Sequence, residues 1–360
     1  MEAAVCRAFG EPFSVEHLEL TQPGPGDVVV AVKAVAICHS DIIFAEGGWG
    51  GSLPAVYGHE AAGVVTWAGD TVAHLDEGDE VVVTMVRGCG TCHCCNRGNP
   101  GSCEAPPDAS APARLLDAAG KPVIQGLQTG AFAEHVAVDA RQVVRTPTGF
   151  GYERASLLAC GVITGFGAVA NTAQVEAGAS VAVIGAGGVG LNAIQAARIL
   201  RADPIVAVDL ARSKLDAARN FGATHAVDGR AEDAVAAVKS ATGGRGVDYA
   251  FVTVGAGAAM AQSYEMLAPG GAAVLVGIPA DGVTSTFDPV RLASLSQRIL
   301  GSKMGAGDVH RDIPTLIDHH RAGRLMLDEL ITERFALRDI NHAVAGAKTG
   351  AALRNMIVMA

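Results

Sequence analysis

The chain has 360 residues, more than a single hydrophobic core usually serves, so two domains are expected. Hydrophobic residues make up 49% of it and charged residues 18%, a balance that excludes a disordered chain. Its 27 basic and 37 acidic residues give a net charge of -10 with no Lys/Arg-rich block, which argues against a nucleic-acid partner.

The opening MEAAVCRAFG lacks the charged and apolar regions of a secretory signal. Apolar runs such as 28–37 are short and broken, here by Lys33, and none reaches the roughly 20 residues of a membrane span. The expectation is a soluble, cytoplasmic protein with no membrane partner. Eight cysteines in such a chain point to metal rather than disulfides.

In chain order, the first 150 residues read as mostly β. The stretches 28–35, 61–67, 80–86 and 132–138 are β-branched or alternating runs separated by Gly, Pro and Asp. Residues 105–121, rich in Pro, Ala and Asp, are expected to form a surface loop. From about 161 the pattern alternates: strand 180–184, helix 189–200, strand 205–208, helix 213–221, then strands 247–254 and 272–276. This is the βαβ rhythm of a doubly wound parallel sheet, so the fold class is α/β. The 45 glycines suit its tight strand-to-helix turns. After about 304 the rhythm fades into a helix at 314–322 and a strand-like 354–359.

Within the alternating half, Gly185-Ala-Gly187-Gly188-Val189-Gly190 follows the apolar strand SVAVI and opens a helix. Glycines there permit a tight turn and close approach of backbone to a pyrophosphate, which the helix N-terminus attracts. Asp209 ends the next strand, IVAVD, where a carboxylate accepts hydrogen bonds from the adenosine ribose hydroxyls. The same carboxylate repels a 2′-phosphate, which favours NAD over NADP. A second reading has Asp209 capping the helix 213–221.

Cysteines form two groups. Cys89, Cys92, Cys95 and Cys103 lie on a Gly/Asn-rich lobe and offer four thiolates, the set of a closed structural zinc site. The competing reading is an iron–sulfur cluster, but Asn99-Pro100 stands where a ferredoxin run has its fourth Cys-Pro. Cys94 is a spare thiol and Cys6 a packed apolar residue. Cys38, His59 and Cys160 are dispersed, and each alone reads as a buried thiol or structural histidine. Together they form a Cys2His set with one tetrahedral position left for water or substrate.

That ligand set is the one known from alcohol dehydrogenase. Gly58-His59-Glu60-x2-Gly63-x5-Gly69-x2-Val72, the four-cysteine lobe and GAGGVG together resemble the zinc alcohol dehydrogenases of the medium-chain dehydrogenase/reductase superfamily, end to end. The resemblance implies a mostly-β GroES-like catalytic domain, residues 1–160 and 304–360, and an inserted Rossmann domain, 161–303, with the active site between them. It implies two zinc ions per subunit, NAD, a small alcohol or aldehyde as substrate, and a homodimer or homotetramer.

Carried over by position, Cys38, His59 and Cys160 are the catalytic zinc ligands, and Glu60 is a carboxylate that transiently coordinates the metal. Asp41 orients His59. Ser40 bonds the substrate oxygen and starts the proton relay. His39 and Arg354 fall near the cofactor pyrophosphate, Thr164 beside the nicotinamide, and Asp209 with Lys214 at the adenosine ribose. Val276, ending the strand 272–276, belongs with these cofactor residues. The implied mechanism is zinc acting as a Lewis acid on the alcohol oxygen, loss of the proton through Ser40, and hydride transfer to the nicotinamide.

The chain departs from the family in two places. Ile43 stands where many relatives have the histidine that ends the proton relay, leaving His39 and Glu46 as replacements. Gly47-Gly48-Trp49-Gly50-Gly51-Ser52 carries no charge, and EAPPD, 104–108, lacks the arginine of the glutathione-dependent formaldehyde branch. A plain alcohol or aldehyde is therefore expected over a thiol adduct, with Trp49, Met85 and Ile278 as the apolar pocket wall. The alternative within the superfamily is a polyol or secondary-alcohol dehydrogenase. The alternative outside enzymes is a non-catalytic zinc-stabilised nucleotide binder, which has no need of an open zinc position.

Overall fold

The Val-rich strand Asp27–Ala36 is buried along nearly its whole length, so it must be covered on both faces and paired on both edges. In the computed structural model, which describes residues 1–105, 113–350 and 352–360, it is the centre of a seven-stranded sheet. Glu60–Ala68 pairs along one edge. Along the other, His135–Asp139 pairs with 27–31 and the C-terminal strand Arg354–Val358 with 34–36, both antiparallel. The end of the chain thus completes the sheet that the first third begins. A second sheet of six short strands, Glu2–Cys6 and Ala55–Val56 among them, packs a shared core of Ala4, Val30, Phe132 and Val136.

Six parallel strands make the other sheet, in the order His225–Asp228, Ile205–Asp209, Val181–Ile184, Val247–Val252, Leu267–Leu275 and Arg298–Gly301. Helices Gly188–Ile199 and Arg212–Phe221 connect its early strands. The strand order reverses at Val181–Ile184, the topological switch point where such sheets bind ligands. The chain divides into two compact units, Met1–Gly161 with Asp308–Leu316 and Leu327–Ala360, and Val162–Gly307 with Ile317–Met326. Gln195, fully buried in the second unit, accepts from Met326 N–H at 2.7 Å and donates to Met326 C=O at 3.0 Å, which explains why that returning segment belongs there.

Two elements differ from the sequence expectation. The run Tyr152–Ala173 is one helical stretch of 22 residues with mean hydropathy 1.5, long and apolar enough to cross a membrane. Its apolar character comes from Ala, Val, Leu and Ile mixed with Gly, Thr and Cys, so no unbroken apolar run announces it. Of its most apolar window 78% is buried in the protein, which makes it a core helix, apolar all round for that reason. The helix expected from Pro314 instead spans Val309–Arg321, with Pro314 inside it. Asp308 starts it by accepting from His310 N–H at 2.9 Å. Of the loop expected at 105–121, residues 106–112 lie outside the described residues; 115–116 and 122–125 are strands.

Gly58 precedes His59 with φ of +93°, and a Cβ there would meet Phe132 N at 2.6 Å. Gly58→Ala is expected to combine backbone strain with a clash and to cost at least about 2 kcal/mol. Differential scanning calorimetry should show the melting temperature falling by several degrees; an unchanged melting temperature would show that the turn relaxes freely.

Candidate active site and metal centres

The strand Asp27–Ala36 delivers Cys38 to the N-terminus of the short helix His39–Ala45, and Asp41 stands in its first turn. Asp41 is almost fully buried and makes three contacts. Its Oδ2 accepts from Cys38 N–H at 3.2 Å, and its Oδ1 accepts from Gly58 N–H at 2.9 Å and meets His59 Nδ1 at 2.8 Å. That last contact makes Nδ1 the protonated nitrogen and turns His59 Nε2 inward, where it is buried without a hydrogen-bond partner. Cys160 arrives from the long core helix, and Thr84 donates to the neighbouring Ala159 carbonyl at 2.7 Å. Ligand atoms of Cys38, His59, Glu60 and Cys160 all lie within 4.8 Å of one another, and all four residues are buried.

Glu60 Oε2 accepts from Gly161 N–H at 3.3 Å, and Oε1 lies 3.1 Å from Arg354 Nη1, which also donates to the Ile37 carbonyl at 3.2 Å. Arg354 is only 6% exposed. Its strand lies against Asp27–Ala36, and its side chain reaches the Cys38, His59, Glu60 and Cys160 cluster. Gly161 makes room for it, since a Cβ there would fall 1.8 Å from Arg354 Nη2. Neither Gly161 nor the Glu60–Arg354 pair is visible in sequence spacing, since they come from segments about 100 and 290 residues apart.

Charge explains the protonation of this cluster. A hydrogen bond with Cys160 holds the Cys38 thiol well below its usual range, and the same contact, with burial, pushes Cys160 well above it. Burial raises Glu60 to about 8 against the pull of Arg354. Burial disfavours charge on His59, yet Asp41 and Cys38 outweigh it and raise that imidazole. These anionic surroundings favour a cation at the point His59 Nε2 addresses. A Cys2His set, an inward-facing imine nitrogen and a carboxylate are donors that fit zinc.

The second cluster is Cys89, Cys92, Cys95 and Cys103, again within 4.8 Å. The sulfurs of Cys89 and Cys95 lie 3.9 Å apart and those of Cys92 and Cys103 4.0 Å, close to the roughly 3.8 Å edge of a tetrahedron with Zn–S bonds of about 2.3 Å. Thr91 donates to Cys89 Sγ through its hydroxyl at 3.5 Å and its N–H at 3.4 Å, and Cys92 N–H donates at 3.3 Å, which pulls Cys89 down to about 5. Cys92 Sγ accepts from Cys95 and Glu104 N–H, both at 3.5 Å. Cys94 is outside this set, as is Cys6, which is buried under Ala45.

At the glycine turn Gly185 has φ of +95°, and a Cβ at Gly190 would meet Gly185 O at 1.8 Å, so both are glycine for reasons internal to the fold. Gly187 differs: its φ is -80° and a Cβ there would meet nothing within 4 Å. Nothing in the chain requires glycine at 187, which is what close approach by an external phosphate would explain. Gly188, Val189 and Gly190 form the first turn of the helix Gly188–Ile199. Thr253, unforeseen from sequence, donates to Gly185 O at 2.7 Å and braces the turn. Asp209 Oδ2 accepts from Ala186 N–H at 2.7 Å and its Oδ1 from Ala211 N–H at 2.9 Å, two bonds also unforeseen. The helix it precedes is capped by Ala211 without a side-chain bond, so Asp209 is not its cap.

The other expected residues are placed as follows. His39 is exposed and Ser40 half-buried, in the first turn after Cys38. Glu46 is ion-paired with Lys348, and Ile43 packs on the turn at Gly48. Trp49 stands edge-on to Phe44 with centroids 5.2 Å apart, and Phe44 stacks on Tyr57 at 6.1 Å. Met85 is half-buried, whereas Ile278, in the nucleotide unit, is 56% exposed. Thr164 donates to Met304 Sδ at 3.7 Å, Val276 N–H donates to Val252 O at 2.9 Å, and Lys214 is half-buried in the first turn of its helix.

Residues 24–148 match the alcohol dehydrogenase GroES-like domain family and residues 188–321 the zinc-binding dehydrogenase family. The chain is 34% identical to geraniol dehydrogenase of Castellaniella defragrans, with 99% of this chain and 97% of the relative covered. It is 30% identical to S-(hydroxymethyl)glutathione dehydrogenase of Paracoccus denitrificans, with 99% of each covered. The crystal structure of benzyl alcohol dehydrogenase from Acinetobacter calcoaceticus superposes with a TM-score of 0.94 at 32% identity, covering 100% of this chain and 99% of that one. With its paired GroES-like and parallel nucleotide-binding sheets, the chain belongs to the zinc-dependent alcohol dehydrogenases of the medium-chain dehydrogenase/reductase superfamily, oxidoreductases of small alcohols.

Proposed function

We propose that this enzyme oxidises a hydrophobic primary alcohol to its aldehyde with NAD, and reduces the aldehyde in reverse, using two zinc ions per subunit. The observation that carries this reading is the buried Cys38, His59 and Cys160 set with His59 Nε2 turned inward; Ser40 follows Cys38 by two residues. When bound, zinc supplies a Lewis acid and the nicotinamide a hydride acceptor. The balance is alcohol plus NAD+ giving aldehyde, NADH and a proton.

The chain's own residues do the rest. Asp41 fixes the tautomer and direction of His59. Ser40 accepts the alcohol's proton and passes it on. With Glu46 tied to Lys348 and Ile43 packed against Gly48, neither continues the relay, and the proton leaves through the cofactor ribose or water. Asp209 and Lys214 hold the adenosine ribose, Asp209 disfavouring a 2′-phosphate. Trp49, held by Phe44, gives the alcohol a planar apolar wall. The similarity to a geraniol and a benzyl alcohol dehydrogenase supports an allylic or benzylic alcohol, and the uncharged Gly47–Ser52 turn disfavours the glutathione adduct named for the Paracoccus relative.

The decisive test is a screen of benzylic, allylic, polyol and hydroxymethylglutathione substrates with NAD and NADP, on protein of measured zinc content. The expected result is highest kcat/KM on a benzylic or allylic alcohol, with NAD preferred by at least about tenfold, the equivalent of about 1.4 kcal/mol. Preference for NADP would sink the ribose role of Asp209, and preference for the glutathione adduct would sink the substrate class.

Ser40→Ala is expected to lower the rate of alcohol oxidation by on the order of 10²–10⁴-fold while leaving zinc content and NAD affinity unchanged. Near-normal turnover would mean that the proton leaves by another path.

Cys160→Ser should lose one of two zinc equivalents and most activity at nearly unchanged melting temperature. Cys92→Ser should chiefly lower the melting temperature, because a closed thiolate site contributes folding free energy. Metal analysis with calorimetry compares them, and an equal loss of stability in both would overturn the division of roles.

A further inference from the structure

The parallel ladder between Val181–Ile184 and Ile205–Asp209 ends with Gly185 N–H donating to Val208 O at 2.8 Å. One residue further along, the Asp209 carbonyl is engaged elsewhere, accepting from Gly229 N–H at 3.0 Å. The Asp209 carboxylate reaches back past the end of the ladder to the glycine turn. Its Oδ2 takes Ala186 N–H at 2.7 Å, and its Oδ1 takes Ala211 N–H at 2.9 Å on the other side. One side chain therefore ties the glycine turn to the turn that leads into Arg212–Phe221.

Glycine turns need such restraint. Gly185 is in the left-handed region, Gly187 has open space beside it, and four of the turn's six residues are glycines with no side chain to pack. Besides the ladder bond at Gly185 and the bonds that Leu191 N–H and Asn192 donate to the Gly187 and Gly188 carbonyls, Thr253 holds the turn from below and Asp209 from the side. Hydrogen bonds to a charged acceptor are the stronger kind, so the Asp209 bond is the larger share of that restraint.

We infer that Asp209 is a positioning residue for the phosphate-binding turn in the cofactor-free enzyme, in addition to any contact with the ribose. The inference rests on the reading of Gly185–Gly190 as the pyrophosphate turn. Each Asp209 oxygen has a second lone pair, so a ribose hydroxyl adds to the amide bonds without displacing them. Removing the carboxylate to admit a 2′-phosphate then releases the turn as well. Asp209→Gly lowers kcat/KM with NADP as well as with NAD, and relief of charge repulsion alone does not convert the enzyme to NADP.

The test compares wild type, Asp209→Ala, Asp209→Asn and Lys214→Ala without nucleotide. Hydrogen exchange of the peptide spanning 184–190 is followed by mass spectrometry, alongside inhibition by inorganic pyrophosphate, a probe with no adenosine ribose. In Asp209→Ala, exchange at Ala186 should rise at least about tenfold and pyrophosphate should inhibit several-fold more weakly. Asp209→Asn keeps one acceptor and should fall between. Lys214→Ala, at the position the proposed function assigns to the ribose, should weaken NAD but leave exchange and pyrophosphate inhibition as in wild type. Unchanged exchange in both Asp209 variants overturns the inference, as does equal pyrophosphate inhibition. Neither readout depends on which nicotinamide cofactor wild type prefers, so failure of the NAD reading shows separately, in the ratio of kcat/KM values.

Discussion

One buried carboxylate sets the geometry of the catalytic cluster. Asp41 bonds Cys38 N–H, Gly58 N–H and His59 Nδ1 at once, joining the end of one strand to the turn before another. A carboxylate removed from water must replace its hydration with hydrogen bonds, and these three contacts do so. The same bonds fix the distance between Cys38 and His59 and decide which histidine nitrogen faces the cluster. The side chain that satisfies its own burial therefore also orients the proposed ligands, and any change to it is felt at both.

The two cysteine clusters obey different constraints. In the lobe, Cys89, Cys92, Cys95 and Cys103 lie within 15 residues of chain and are half-exposed, and short-range N–H···S bonds shape the turns. Such a lobe has little apolar core of its own, so four converging thiols without a cation would have little to hold them together. Cys38, His59 and Cys160 instead come from a strand end, a second strand and a core helix that the rest of the unit already fixes. A frame built independently of the metal leaves the coordination sphere free to stay incomplete, and an incomplete sphere is what substrate needs.

This contrast also explains what was legible in the sequence. Local patterns were readable: the four-cysteine spacing, the glycine turn after SVAVI, and Val-rich strands such as Asp27–Ala36. Short strands such as Ala55–Val56 were not, because two residues carry no periodicity and pair only through tertiary contact. The core helix Tyr152–Ala173 hid for the opposite reason, since burial on every side erases the polar face that marks a helix. Cys38, His59, Glu60 and Cys160 were grouped through a family pattern and not through spacing, and their ligand atoms lie within 4.8 Å of one another. Arg354 shows what spacing leaves out: the strand Arg354–Val358 was expected, but its lateral pairing with Asp27–Ala36, which aims the guanidinium at Glu60, is a long-range register.

Burying so many acids together has a further consequence. Cys38, Cys160 and Glu60 cannot all ionise in a space closed to water beside one buried guanidinium, that of Arg354. The hydrogen bond between Cys38 and Cys160 draws the first below its usual range and pushes the second above it, and burial raises Glu60 to about 8. Protons and a divalent cation thus answer the same excess of negative charge, and metal binding at these atoms must release protons. Arg354 settles which acid remains when the others are committed. It lies 3.1 Å from Glu60, locked by the Ile37 carbonyl and the missing side chain of Gly161. Glu60 is accordingly drawn toward the arginine on one side and toward the proposed cation site on the other. On the proposed reading, three firm donors and one divided carboxylate keep a fourth position exchangeable.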